Sequence, residues 1–221
     1  MSRMARLVVP GHPHHVTQRG NHRGQVFFEV GDYALYKDLL SEAARKAEVE
    51  VWCYCLMPNH VHLVVTPSDE DGLRRTFADA HRRYTSYINT RMRTTGHLWQ
   101  GRFASVVMDE QHLAHAVRYI TYNPVRAKLV HRVQDWAWSS IAAHLSGKDD
   151  VLVKVAPILD RYGDFAAFLG EDKLDESVEY QAIRRAETTG RPLGGDQWIE
   201  WLEQQTSRTL KPQKRGPKTH A

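Results

Sequence analysis

Cysteine is nearly missing from this sequence: Cys53 and Cys55 are the only two in 221 residues. That excludes a disulfide framework and fits a reducing compartment, the cytoplasm. No apolar run approaches the roughly 20 residues that a membrane span needs. The opening MSRMARLVVPGHPHHV has too short an apolar stretch for the core of a secretion signal. A protein without membrane attachment is expected. Internal repeats are absent, and the net charge is only +4. Acid is scarce in one place, however. Between Asp71 and Phe103 stand seven arginines against two aspartates, a local imbalance that points to a polyanionic partner.

What is present alternates between strand and helix signals. Alternation in HHVTQR predicts a strand over 14–19, followed by the polar loop GNHRGQ and a short VFF extension. Apolar residues at helical spacing predict a helix over 32–47, with Asp32 capping its amides. VEVWCYCL and HVHLVVT read as a hairpin about the turn MPN, then a helix spans 71–91 and a fourth strand 104–108. This order predicts an α+β fold, a ferredoxin-like antiparallel sheet with helices. A further helix in DEQHLAHAVRYITYNP should end at Asn123, because proline disfavours helical geometry in the residue before it. We expect residues 1–148 to form the main domain, 149–205 a helical extension, and 206–221 a basic, disordered tail with no acid among five positive charges.

His60 and His62 flank Val61. Residues i and i+2 of a strand share a face, so two imidazoles stand side by side while Val61, Leu63 and Val65 enter the core opposite. Two adjacent imidazoles make half of a metal site, or are simply polar residues on a solvent-facing side of the strand. The hairpin register decides whether Cys53 and Cys55 join them. A three-residue loop turns the thiols away; a two-residue loop brings them to the histidine face and opens a zinc reading. Tyr119 and Asn123 are four apart and share a helix face, as a nucleophile with a neighbour or as a core tyrosine with a cap.

MPNHVHLVV, GHLWQGRF, RYITYNPVRAKLV and DWAWSS, in that order and spacing over roughly Leu7 to His144, resemble the single-tyrosine HUH transposases, and specifically the REP-associated tyrosine transposases. The resemblance implies that His60 and His62 bind a divalent cation, magnesium or manganese. It implies that Tyr119 attacks a phosphate of single-stranded DNA at hairpin-forming repeats, leaving a 5′-phosphotyrosine. Asn123 then matches a polar third metal ligand, a position where glutamine occurs in relatives. Tyr122, Tyr84 and Tyr87 are the rival nucleophiles, and His115 a candidate base. Members of the family occur as monomers and as dimers that exchange the tyrosine helix.

For DNA contacts the sequence offers Arg74, Arg75, Arg82, Arg83, Arg91, Arg93 and Arg102 interleaved with Tyr84, Tyr87, Trp99 and Phe103. Arg19 and Arg23 lie near the first strand, and Lys211, Lys214 and Arg215 lie in the tail. A helical DNA-binding element is possible within 189–210. Two alternatives stay open: a non-cleaving DNA-binding regulator of the same fold, and a zinc hydrolase.

Overall fold

A computed structural model describes residues 4–170 and 178–211. Lys214 and Arg215 of the expected tail, and the start of the helix expected from Asp175, lie outside the described residues. The elements follow the order β1 (His14–Arg19), α1 (Val30–Lys46), β2 (Val49–Met57), β3 (His60–Pro67), α2 (Gly72–Arg91), β4 (Ala104–Val107) and α3 (Glu110–Arg126). After these come α4 (Ile141–Ser146), α5 (Ala156–Tyr162), α6 (Phe165–Leu169), α7 (Val178–Thr189) and α8 (Asp196–Thr206). The sheet order is β2-β3-β1-β4, with every neighbouring pair antiparallel. This is the ferredoxin-like α+β arrangement expected from the element order.

Local chemistry adjusts the expected boundaries. Helix α1 starts ahead of Asp32, because Glu29 is the N-cap and Asp32 the third helical residue of a capping box. Asp32 Oδ2 accepts from the Phe28 and Glu29 amides at 2.7 and 3.1 Å. The VFF stretch is a loop, since the Val26 and Phe27 amides bond the Pro58 carbonyl at the hairpin turn. Helix α3 runs through Pro124 to Arg126 rather than ending at Asn123. Arg126 holds that last turn by donating to the Tyr119 carbonyl at 2.6 Å and to Asn123 Oδ1 at 2.9 Å, and Pro124 is buried. The preference of the residue before proline yields to these contacts.

The hairpin turn has two residues, Pro58 and Asn59. Met57 therefore pairs with His60 and Cys55 with His62, so the cysteines share the histidine face. A bulge between Val51 and Cys53 sets Trp52 and Cys53 on that side together.

Both faces of the sheet are covered. Val16, Tyr54, Leu56, Val61, Leu63 and Val65 pack with Tyr36 and Leu40 of α1 and Leu73, Phe77 and Tyr84 of α2. On the opposite face Cys53, Cys55, Val64 and Val106 meet Leu113, Val117 and Ile120 of α3 and Ile183 of α7. The histidine face, expected to lie away from the core, is thus the floor of a second core. α3 and the C-terminal helices cover it because their apolar stripes have no other surface on which to be buried. Helix α8 uses Ile199 and Leu202 to pack on Leu7 and Val9. Residues 206–211, expected to open the tail, fold back onto this cluster: Leu210 is buried, and its amide donates to Glu203 Oε1 at 2.6 Å.

Candidate active site and metal centre

Pairing of β1 with β3 sets Thr17 opposite His62 and Arg19 opposite His60, with His15 two residues along on the same face. The result is three neighbouring imidazoles. His60 and His62 stand edge to face with ring centroids 4.8 Å apart. His15 Nε2 and His62 Nδ1 are 3.0 Å apart, a hydrogen bond between the rings. His60 Nδ1 contacts Asn59 Oδ1 at 2.6 Å. Burial pushes His15 down to about 3 and His60 to about 4, and holds His62 well below its ordinary value, helped by the neighbouring His60, His15 and Arg19. All three are neutral at pH 7, and each keeps a nitrogen lone pair.

Glu187 reaches this group from α7. Its Oε1 lies 3.6 Å from His62 Nδ1 and 3.8 Å from His15 Nε2, and accepts no hydrogen bond although it is sealed from solvent. Burial pushes the carboxyl up to about 7, against the charges of Arg19, Arg184 and Arg126. His15, His62 and Glu187 form the one cluster of histidine, cysteine and carboxylate donors with metal-like spacing among the described residues. Sequence reading missed both His15 and Glu187. The alternation in HHVTQR carries a signal for His15, whereas nothing local marks Glu187.

Tyr119, on α3, faces the same group. Its ring centroid is 5.7 Å from that of His62 and 6.1 Å from that of His15, both edge-on. Tyr180 of α7 packs edge-on at 5.3 Å, and the Arg126 guanidinium lies over both tyrosines, at 4.3 and 4.8 Å. Burial raises the phenol, as does the Glu187 charge; a hydrogen bond from Arg184 and the charges of Arg126 and Arg184 oppose this. The rival tyrosines are elsewhere. Tyr84 donates to the Val26 carbonyl inside the α1–α2 core, Tyr122 donates to the Gly170 carbonyl, and Tyr87 lies beside Arg91. His115 neighbours His112 with centroids 6.4 Å apart. Asn123 Oδ1 is occupied by Arg126, and its Nδ2 is buried without a partner.

The thiols share the face without joining the cluster. Cys55 Sγ contacts Met57 Sδ at 3.7 Å, Ser140 Oγ approaches Cys53 Sγ at 3.5 Å, and burial holds both thiols above their ordinary value. They act as small buried hydrophobes.

A cleft of about 370 Å³ opens over the histidines, lined by Thr17, Arg19, His60, His62, Arg102 and Glu187 among others. Gly101 and Arg102 join it to a second cleft of about 660 Å³. That one holds Arg74, Arg82, His97, Trp99 and Phe103. The remaining α2 arginines do not face the site, because α2 packs on the other side of the sheet. Arg83 pairs with Glu42 at 2.7 Å, Arg75 with Asp69 at 2.6 Å, and Arg91 with Glu29 and the fully buried Asp32. Arg93 sits in the turn after α2 and Arg23 ends a short 3-10 helix, both with positive φ, and Lys211 pairs with Glu200 at 2.7 Å. Among the described residues no helix is long and apolar enough to cross a membrane.

A family model described as IS200-like transposase matches residues 9–123, more than half of the chain. A Haemophilus influenzae protein named as a REP-associated tyrosine transposase is 30% identical over 103 residues, which are 41% of this chain and 58% of that relative. The match therefore spans under two thirds of that protein's length. The REP-associated tyrosine transposase of Escherichia coli K12 is 24% identical over 122 residues, 54% of this chain and 70% of the relative. A solved structure of a REP-associated tyrosine transposase bound to a REP hairpin superposes with a TM-score of 0.59 at 20% identity. That superposition covers 80% of this chain and 99% of the other, and shows a shared fold.

Proposed function

The chain belongs to the IS200-like transposase family and is similar to the REP-associated tyrosine transposases; from that premise we propose that it cleaves and rejoins single-stranded DNA at hairpin-forming repeats through Tyr119. The observation that carries this reading is the position of Tyr119 beside His62, with centroids 5.7 Å apart, while Tyr84, Tyr87 and Tyr122 point elsewhere. In the reaction Tyr119 Oη bonds to the scissile phosphorus as the bond to the 3′ oxygen breaks. The phenol proton passes by way of solvent to the departing 3′-hydroxyl, and the phosphoryl group stays on the enzyme as a 5′-phosphotyrosine. One phosphodiester replaces another, so a 3′-hydroxyl can reverse the step without ATP.

The residues fit a cation on chemical grounds. The buried imidazoles are neutral, and Glu187 Oε1 is buried with no donor. Bound by His60, His62 and Asn123, magnesium or manganese would supply Lewis-acid stabilisation and orient the phosphate. Asn123 would exchange Arg126 for that role. Burial and the Glu187 charge hold Tyr119 as the phenol, and Arg126 and Arg184 offset part of that, lowering the cost of the charge that develops on Oη. Arg19 and Arg102, on the walls of the histidine cleft, suit phosphate contacts, and Trp99 and Phe103 with Arg82 in the adjoining cleft suit stacking and backbone contacts.

The test is Tyr119→Phe, which removes only the hydroxyl. It should bind a labelled hairpin oligonucleotide as the wild type does and give no covalent adduct on a denaturing gel. An adduct formed by the variant would overturn the assignment. One observation favours a second reading, a DNA-binding protein that cleaves little: Tyr119 is only 5% exposed, beneath Tyr180. Wild-type protein that binds the hairpin without forming any adduct would establish that alternative.

A further inference from the structure

The donors that converge on this face are not the set expected from the chain's motifs. Asn123 spends its oxygen on Arg126, whereas Glu187, more than sixty residues further along the chain, places a bare carboxylate oxygen against two ring nitrogens. We propose that His15, His62 and Glu187 form a seat for a divalent transition-metal ion, so that helix α7 supplies the anionic ligand. The inference rests on the reading of the histidine face as a cation site and names the ligands of that site.

Three observations carry it. The first is geometric. His15 Nε2, His62 Nδ1 and Glu187 Oε1 are separated by 3.0, 3.6 and 3.8 Å. A triangle with these sides has a point about 2.0 Å from each corner, which matches the bond lengths of zinc and its neighbours to imidazole and carboxylate. The second is a missing partner. Glu187 Oε1 is shielded from solvent and accepts no hydrogen bond among the described residues. Burying a carboxylate is costly unless a counter-charge or donors meet it. The charges of Arg19, Arg184 and Arg126 act on the carboxyl but do not offset its burial. The third is rigidity. His15 and His62 are fixed on paired strands and are 1% and 2% exposed, so their rings are already in place and binding an ion requires only that the proton shared between Nε2 and Nδ1 move to the far nitrogen of its ring.

The donor set also selects the ion. Two imidazoles and one carboxylate are the protein ligands of many catalytic zinc sites and suit manganese. Magnesium prefers oxygen ligands and keeps its waters. Manganese and zinc should therefore bind more tightly here than magnesium. Because α7 lies beyond the segment matched by the family model, residues 9–123, the C-terminal helices would be part of the metal centre and not only a covering for it.

The experiment measures binding of Mn²⁺ to the full-length protein by electron paramagnetic resonance, together with the Mn²⁺-dependent rise in melting temperature. Wild type, Glu187→Gln, His15→Gln and His60→Ala are compared without DNA. We expect Glu187→Gln, which keeps shape and loses charge, to weaken Mn²⁺ binding at least tenfold and to abolish the rise in melting temperature. Its melting temperature in chelator should not fall, which separates loss of a ligand from loss of the fold. Excess Mg²⁺ should fail to displace Mn²⁺ from the wild type. If Glu187→Gln and His15→Gln bind Mn²⁺ as the wild type does while His60→Ala does not, the inference is overturned and the cation site of the proposed function stands. If the wild type binds no Mn²⁺, the inference is overturned as well; the Tyr119→Phe adduct test then judges the proposed function on its own.

Discussion

The Arg126 guanidinium lies over the rings of Tyr119 and Tyr180 at once, 4.3 Å from the first centroid and 4.8 Å from the second. It also donates to the Tyr119 carbonyl and to Asn123 Oδ1. One side chain thus fixes the end of α3, carries charge to the phenol and ties α3 to α7. Arg126→Ala should lower the rate of adduct formation about tenfold, equivalent to roughly 1.4 kcal/mol of barrier. Arg126→Lys should restore little of it, since an ammonium lacks the planar fork. Single-turnover kinetics at saturating hairpin DNA would check this; an unchanged rate in Arg126→Ala would show that the clamp is structural only.

Arginines that look alike in sequence should separate by assay. Arg91 donates to the buried Asp32 at 2.8 Å, so Arg91→Ala leaves that carboxylate with its two amide donors but no counter-charge and should lower stability to urea. It should leave the salt dependence of DNA binding unchanged. Arg102→Ala, in the wall shared by both clefts, should do the reverse and reduce the salt slope by about 1. Urea denaturation and binding titrations across a salt series measure the two effects.

Acid should weaken the fold partly through His81. Its Nε2 and the Tyr36 hydroxyl share a hydrogen bond of 3.0 Å, and its ring stacks on Trp99. Burial lowers it to about 3 from its ordinary value of 6.5. The unfolded chain therefore takes up this proton first, so the contribution is complete above pH 6.5 and is lost as pH falls toward 3. The slope from one such group is at most about 1.4 kcal/mol per pH unit. Urea denaturation at pH 7.5 and pH 5 should show a smaller loss for His81→Gln than for the wild type. An equal loss would assign the acid sensitivity to other groups.

Removal of residues 212–221 deletes Lys214, Arg215 and Lys218 while leaving Arg208 and Lys211, which are bonded to the folded part through Ala5, Arg6 and Glu200. The truncated protein should bind hairpin DNA more weakly, with a salt slope shallower by up to about 2 if three phosphates are lost from a single strand. Adduct formation at saturating DNA should persist. Identical slopes for the two proteins would show that these residues do not contact DNA.

Much of this site is determined by the sequence alone, because the relevant periods are local. A strand repeats every two residues, so His60 and His62 share a face in any fold that keeps the strand. A helix turn spans about four, so Tyr119 and Asn123 stay on one side of theirs. The run of strand and helix signals likewise fixes the ferredoxin-like order. Tertiary structure decided the rest. A two-residue turn, rather than three, put the cysteines on the histidine face. Pairing of β1 with β3 brought His15 to His62, and α7 brought Glu187. Docking of α2 on the far layer removed Arg83 and Arg91 from the site, although they stand in the same run as Arg102. Each of these outcomes depends on which apolar faces can be buried together across the chain, a long-range balance that no local pattern encodes.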